Sequence, residues 1–443
     1  MVEFRSVGSV CSHLQHPRCN NLQEAGIIIN NTSWAIPNRD NLSRVHFVSE
    51  VQHYYCILEI KLFKPLTGQK HGIIETFCML FVPYFQINSL YLSRIKKKCM
   101  TIQVEILQIL HYNPSSSRVE IAAGLTEAPN ERTLKRLIAD GVQRGDIVVE
   151  GRGKATRYSL SAQAQLMMPL DIDTYFLKDI DERKVQESFN FDLIRTTLPQ
   201  VAIFTEEELQ RLNASHRQFL ANMQTLSDVE YRKEMERLGV DLSWKSSQIE
   251  GNTYSLLETE RLLKEKQTAQ GKTKDEAVML LNHKDALDFI LDNPDYLKEL
   301  STRRIEDIHA ILTKELGVGG GIRTRRVGIT GTNYRPLDNE FQIREALEDS
   351  CALINGKENI FEKALLALVL LSYIQAFSDG NKRTARITSN AILMAWGYCP
   401  LSFRTVDSVD YKKAMLMFYE QNNIAAFKQI FIEQYEFATK NYF

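Results

Sequence analysis

The chain has 443 residues, 25% of them charged and 44% apolar, with a formal net charge of −1. That length allows two or three domains, and the balanced charge excludes a chain-wide attraction to nucleic acid or to a membrane surface. Of the seven cysteines, Cys11, Cys19, Cys56, Cys78 and Cys99 precede residue 100 without CxxC spacing, which argues against a zinc site or a redox pair. Cys351 and Cys399 read as small buried residues, and this usage suits a reducing compartment. The apolar patch Phe77–Ile87 contains Pro83 and is too short to span a bilayer. No membrane partner is expected, and a cytoplasmic location is.

Residues 1–99 show no sustained helical or strand period and end in the basic run Arg94-Ile95-Lys96-Lys97-Lys98. They are expected to be a weakly ordered extension or a stretch foreign to the natural protein. The basic run reads as a solvated charge cluster. Residues 100–160 read as a small winged-helix α+β domain. Ile102, Ile106 and Ile109 mark a first helix, and Val119 to Leu125 a second. Asn130 is placed to cap a third through Arg144, with Leu134, Leu137 and Ile138 on its apolar face and Arg132, Lys135 and Arg136 toward the other. Ile147–Glu150 and Thr156–Leu160 read as a hairpin with Gly151-Arg152-Gly153-Lys154 at its tip. In DNA-binding domains of this type the third helix enters the major groove. Here Glu120, Glu127, Glu131, Asp140, Asp146 and Glu150 offset most of the basic charge, so DNA binding and a protein-contacting role both stay open. Residues 161–200 read as a connector with Pro169 and Pro199, and residues 201–436 as helical almost throughout, interrupted near 322–337.

Three segments of the helical region carry chemistry. The first to be met is Ser246-Ser247-Gln248-Ile249-Glu250-Gly251-Asn252. Ser246 and Glu250 lie four apart and share one helix face. Gly251 ends that helix by permitting a left-handed turn, and Ser255 with Glu258 forms a capping box for the next. Alone, this is a helix end with two exposed polar residues. The second is Val327-Gly328-Ile329-Thr330-Gly331-Thr332-Asn333-Tyr334-Arg335-Pro336, a short surface hairpin by its alternation and its Gly331–Asn333 turn, preceded by Gly319, Gly320 and Gly321. The third is Gln375-Ala376-Phe377-Ser378-Asp379-Gly380-Asn381-Lys382-Arg383-Thr384-Ala385-Arg386. Before it, Ala364 to Leu371 is unbroken apolar and predicts a helix buried on all sides. After it, Ile387, Ala391 and Ala395 form one stripe of a second helix, stopped by Gly397 and Pro400. A polar loop opening a helix presents free N–H groups and a dipole to an anion. Lys382, Arg383 and Arg386 add positive charge, and Asp379 is a hard ligand suited to Mg²⁺.

At this third segment the sequence resembles the Fic family, whose motif is His-x-Phe-x-Asp/Glu-Gly-Asn-Gly/Lys-Arg-x-x-Arg. Each fixed position matches except the first, where Gln375 stands for histidine. The resemblance implies an all-helical core in which residues 327–336 form a β-hairpin flap. Val327, Ile329, Thr330 and Gly331 would there dock a target segment by main-chain pairing. It implies that Asp379 holds Mg²⁺ between nucleotide phosphates, that Gly380, Asn381 and Lys382 cradle them, that Arg383 neutralises them and that Arg386 reaches the γ-phosphate of ATP. The usual reaction is AMP transfer from ATP to a Ser, Thr or Tyr hydroxyl of a protein. The segment near 241–252 resembles the family's inhibitory helix, with Glu250, supported by Ser246 and Gly251, pairing with Arg386 and excluding productive ATP. Fic cores often pair, so a homodimer is implied by resemblance alone.

Two departures bear on activity. Gln375 orients a hydroxyl but is not a base, and general-base assistance is worth about 10²–10⁴ in rate. No histidine follows His309 in the sequence. His283 and His309 fall on expected helices as packed or surface residues rather than as a substitute base. Lys382, where many AMP-transferring members have Gly, also occurs in the phosphate-transferring Doc-type toxins, but Gly380, Arg386 and the inhibitory helix favour AMP transfer. Two functions are therefore carried forward. One is a self-inhibited Fic adenylyltransferase weakened at Gln375. The other is a non-catalytic, nucleotide-sensing regulator that binds DNA through residues 100–160.

Overall fold

In the computed structural model the described residues are the backbone of 42–51 and 54–63 and all of 102–443. The basic run at 94–98, the patch at 77–87 and Cys11, Cys19, Cys78 and Cys99 lie outside them. The chain divides into two compact units, residues 1–104 and 105–443. In the first, β1 (Leu42–Val51) and β2 (Tyr54–Phe63) pair antiparallel, with Val51 opposite Tyr54. Residues 1–99 as a whole carry no sustained strand period, and the pairing of β1 with β2 is local.

The second unit is mainly helical. It opens with α1 (Ile102–Tyr112), which begins just before the unit boundary, α2 (Arg118–Gly124) and α3 (Glu131–Gln143). Ser117 and Glu120 form a capping box on α2, and the Asn130 side chain accepts from Thr133 N to start α3. Each satisfies an orphan N–H of a first turn. Ile106, Leu110, Ile121, Leu134 and Ile138 are buried, whereas Val119 is exposed. Strands β3 (Ile147–Glu150) and β4 (Arg157–Leu160) pair antiparallel, and Tyr158 also bridges to Ser116. Between them, a side chain at Gly151 (φ +73°) would place its Cβ 2.4 Å from the Ala155 carbonyl oxygen, so the close approach requires glycine. Short helices α4 (Ala162–Met167) and α5 (Ile172–Phe176) follow.

The large helical body then runs α6 (Glu206–Met223), α7 (Asp228–Ile249), α8 (Leu256–Glu265), α9 (Lys274–Asp292), α10 (Thr302–Thr313), α11 (Glu340–Gly356), α12 (Ile360–Ile374), α13 (Asn381–Ala395), α14 (Ser408–Gln421) and α15 (Ala425–Asn441). Capping boxes open α6, α7, α8 and α9, which explains why their starts are sharp. Helix α12 is buried from Phe361 to Ile374, as its unbroken apolar run requires. Each fully buried leucine there contributes roughly 1.5–3 kcal/mol. Helices α11, α13 and α14 pack around α12, and α10 packs on α13. Among the described residues no helix is long and apolar enough to cross a membrane.

The stretch 322–337 differs from the expected hairpin. It turns at Thr330–Gly331, with Gly331 at φ +90°, and forms no strand. Its polar groups are drawn to neighbouring segments instead. Arg335 N donates to Glu187 O at 2.8 Å, Tyr334 Oη to Tyr373 O at 3.1 Å, and the Arg183 guanidinium to Gly331 O at 3.1 Å. The two-stranded hairpin of this unit is β3–β4.

Candidate active site

The site is the six-residue turn from Gln375 to Gly380 between α12 and α13, together with the end of α7. Gly380 is the N-cap of α13 in the left-handed region (φ +81°) and makes no side-chain cap. The Asn381 side chain closes the turn on itself. Its Oδ1 accepts from Phe377 N at 2.8 Å, and its Nδ2 donates to Phe377 O at 2.7 Å. This leaves the start of a buried helix with a bare backbone, a geometry suited to an anion. Phe377 is 2% exposed and its ring stacks on His309 of α10, centroids 3.8 Å apart at 11°. The His309 Nε2 donates to the Asp379 carbonyl at 2.9 Å.

The three cations separate. Arg386 is fully buried. Its Nε donates to Ser246 Oγ at 2.8 Å, and its Nη2 donates to Ser246 O at 3.0 Å and to Glu250 Oε1 at 2.7 Å. Lys382 Nζ lies 3.5 Å from Glu250 Oε2. Arg383 runs beneath the turn, donating to Leu312 O at 3.3 Å and to Asp379 Oδ2 at 3.0 Å. The Asp379 side chain is 66% exposed, while that of Glu250 is 20% exposed. Burial pushes the Glu250 carboxyl upward, but the charges of Arg386 and Lys382 outweigh it and hold the group below the usual carboxylate range. Nearby His283 is pushed down to about 3, first by burial and then by Arg386 and Arg383, so it stays neutral.

Glu250 is delivered by local chain geometry. It is the C-cap of α7, and Gly251 at φ +99° turns the chain away. The return path is pinned: Asn252 Nδ2 donates to Glu276 O at 2.9 Å, and Thr253 N donates to Glu276 Oε1 at 2.8 Å. Glu276 also closes the capping box of α9, and these hydrogen bonds, the Thr253 hydroxyl's first, lower its carboxyl to about 2. Ser246 and Glu250 thus meet Arg386, and Gly251 makes the turn that follows them.

Gln375 caps α12 in the left-handed region at φ 52°, ψ 54°. That conformation is uncommon for a residue with a Cβ. Its side-chain Nε2 donates back to Ser372 O at 2.6 Å, and its backbone oxygen accepts from Arg323 Nε at 2.6 Å. Arg323, 3% exposed, also donates from its backbone to Ala376 O and through its guanidinium to Arg325 O and Leu337 O. It therefore ties both ends of the 325–337 stretch to the Gln375 turn. Of the residues expected to form a flap, Val327, Ile329 and Gly331 are half-buried and Thr330 is exposed. Ile329 packs against the main core.

Two participants, Arg323 and Arg183, escape a reading of the sequence. Arg323 sits among Arg325 and Arg326 with nothing to distinguish it. Arg183, in the connector, pairs with buried Glu420 at 3.0 Å. His309 did carry a signal, because it shares the apolar stripe of Ile305, Ile308 and Leu312, and a histidine on that stripe is a packed one. The structure places it under the turn rather than in place of a base.

Residues 299–393 match the model of the Fic/DOC family. The chain is 30% identical over 175 residues to the protein adenylyltransferase Fic of Nematostella vectensis, covering 38% of this chain and 40% of that protein. To protein adenylyltransferase fic-1 of Caenorhabditis elegans it is 31% identical over 173 residues, covering 37% of this chain and 33% of that protein. The chain thus spans less than half the length of these curated relatives. Among solved structures it is similar to Fic-1 (residues 134–508) from C. elegans, with a TM-score of 0.47 and 24% identity over 53% of this chain and 72% of that one. A Fic family protein from Desulfovibrio desulfuricans gives a TM-score of 0.46 at 18% identity over 54% of this chain and 74% of that one.

Proposed function

We propose that the chain is a self-inhibited protein adenylyltransferase that moves AMP from ATP to a hydroxyl of a protein target, with Gln375 limiting its rate. The observation that carries this reading is the Arg386 guanidinium, fully buried and held by Ser246 and Glu250 at the mouth of an anion-accepting helix start. The named activity of relatives about 30% identical supports it. The backbone from Gly380 onward would receive the phosphates, and Arg386, once freed from Glu250, would bind the γ-phosphate by charge-assisted bonds. A target hydroxyl oxygen then bonds to the α-phosphorus as the bond to the β-phosphate oxygen breaks, and pyrophosphate leaves. Gln375 cannot take the hydroxyl proton, which passes to solvent or to a phosphate oxygen.

The site presents a single exposed carboxylate, and among the described residues no cluster of three or more His, Cys, Asp or Glu side chains could hold a metal. That donor set fits Mg²⁺, which is commonly held by one or two carboxylates plus substrate phosphates. Asp379 would hold it with the nucleotide, and the ion would supply charge neutralisation. Arg383 keeps one Asp379 oxygen oriented.

The test is transfer of label from α-labelled ATP by the parent, Glu250→Gly, and Glu250→Gly with Gln375→His. Label in the second form supports the full reading. Label only in the third means that the site lacks nothing but its base. Silence in all three, with the protein folded and ATP bound, counts against self-labelling. A second reading rests on the exposed Arg132 and Arg136 of α3 and Arg152 and Lys154 beyond β3, read as the recognition helix and wing of a DNA-binding winged helix. It requires duplex binding that weakens steeply with salt and changes on addition of ATP.

A further inference from the structure

The Asp379–Gly380 peptide sits at the centre of the anion-accepting turn, and glycine leaves its orientation open. Gly380 lies at φ +81°, and a residue without a Cβ visits either sign of φ at little cost. The peptide could therefore rotate with its carbonyl toward the helix start or away from it. Something outside the turn must choose.

Helix α10 supplies that choice. His309 is fully buried and its Nε2 lies 2.9 Å from the Asp379 carbonyl oxygen. A carbonyl only accepts, so Nε2 carries the proton. The other ring nitrogen, Nδ1, is buried without a partner, which fits a neutral ring of that one tautomer. The ring is fixed by its stack on Phe377. The turn also lies flush on this helix. A Cβ built at Gly380 would come within 3.0 Å of Thr313 Cγ2 and 3.4 Å of His309 Nε2. Because the peptide is planar and trans, its C=O and N–H point in opposite directions. Drawing the Asp379 carbonyl down onto α10 turns the Gly380 N–H up, to the side away from His309.

We propose that His309 is a positioning residue for nucleotide binding, holding the Asp379–Gly380 peptide so that the Gly380 N–H joins the free N–H groups opening α13. This rests on the nucleotide-binding reading of the site. It predicts that the Nε2–H donor, rather than the bulk of the ring, decides affinity.

Two measurements test it in the full-length chain. The first compares Mg-ATP binding, by calorimetry, in Glu250→Gly and in the same background with His309→Phe or His309→Gln. Phenylalanine keeps a stacking ring without a donor, whereas glutamine keeps a donor at the corresponding reach. Loss of one buried hydrogen bond of this kind predicts an affinity about tenfold weaker for His309→Phe. Glutamine should restore most of it, with equal thermal midpoints for the two. Equal affinity in all forms, or equal loss in both, overturns the role of His309. Absence of ATP binding by Glu250→Gly itself overturns the nucleotide reading instead. The second measurement reads imidazole ¹⁵N shifts of the parent at neutral pH without nucleotide, assigned by the signals lost in His309→Gln. A protonated Nε2 with a bare Nδ1 is expected, and the opposite tautomer would overturn the clamp whatever ATP does.

Discussion

Two ion pairs of the same chemistry hold two regions of this molecule, and they are built to behave differently. At the turn, Arg386 is fully buried while its partner Glu250 keeps 20% of its side chain exposed. Below the 322–337 stretch, Arg183 is 5% exposed and its partner Glu420 is fully buried. Glu420 also accepts from the Tyr175 hydroxyl at 2.6 Å, and Arg183 reaches on to Gly331 O. The second pair has every side closed by protein. The first has one carboxylate at the mouth of a helix start, where an incoming anion can compete for the guanidinium. A buried pair is costly to break unless something replaces the lost partner. The first pair can therefore act as a latch, and the second is a rivet between the connector, α14 and the 322–337 stretch.

The comparison can be broken most forcefully at the turn. Installing the family's base, Gln375→His in the Glu250→Gly background, is expected to raise AMP transfer by about 10²–10⁴ over Glu250→Gly alone. No increase would mean that the strained Gln375 turn does not aim its side chain at a target. At the rivet, Arg183→Met leaves the Glu420 carboxylate buried with a tyrosine for company. A stability loss of about 3–5 kcal/mol is expected by denaturant unfolding, with no recovery on adding Mg-ATP. Recovery by nucleotide would show that the two regions are not distinct.

At the latch, Glu250→Gly is expected to tighten ATP binding by roughly 10–100-fold, the worth of a charge-assisted bond no longer competed for. It should also lower the thermal midpoint without ligand and make that midpoint rise with ATP. The Glu250 carboxyl lies below its ordinary range in the folded state. Its contribution is then fully present above the unfolded carboxyl pKa and is lost as pH falls through the lowered folded value. The difference in unfolding midpoint between the parent and Glu250→Gln should be constant from neutral pH down to the ordinary carboxyl range and shrink below it.

The last effect appears only under acid and concerns His283, neutral beside the latch. Its folded value of about 3 lies below the ordinary histidine range near 6.5. Above that range neither state is charged. As pH falls toward 3, the unfolded chain gains a proton that the native one refuses, which removes at most about 1.4 kcal/mol per pH unit. Replacing His283 by Asn should flatten the acid limb of the stability curve by that one proton's slope. An unchanged limb would place the acid sensitivity elsewhere.

Much of the large helical body was legible because its signals are local. The cap at Ser255, the apolar run of α12 and the glycine after Glu250 each act within a few residues. The 322–337 stretch was less legible. The alternation of Val327 and Ile329 reads as a strand, but Tyr334, Arg335 and Gly331 are claimed by Tyr373, Glu187 and Arg183, none of which is near in sequence. In β1 and β2 the signal is confined to a short alternation, Leu58-Glu59-Ile60-Lys61-Leu62, within a stretch that shows no sustained period.

For the site, the sequence determined the turn, the free helix start and the four-residue spacing that puts Ser246 and Glu250 on one face, because turn chemistry and helical period are properties of neighbouring residues. Tertiary structure alone decided how three nearby cations divide: Arg386 to Glu250, Lys382 beside it, and Arg383 down to Leu312 and Asp379. It also decided that Arg323 ties the 325–337 stretch to Gln375 and that His309 lies under Asp379. Charge and hydrogen-bonding capacity are written in each residue, but a partner is chosen by which helices the buried core brings together, and that is a property of the whole packed chain.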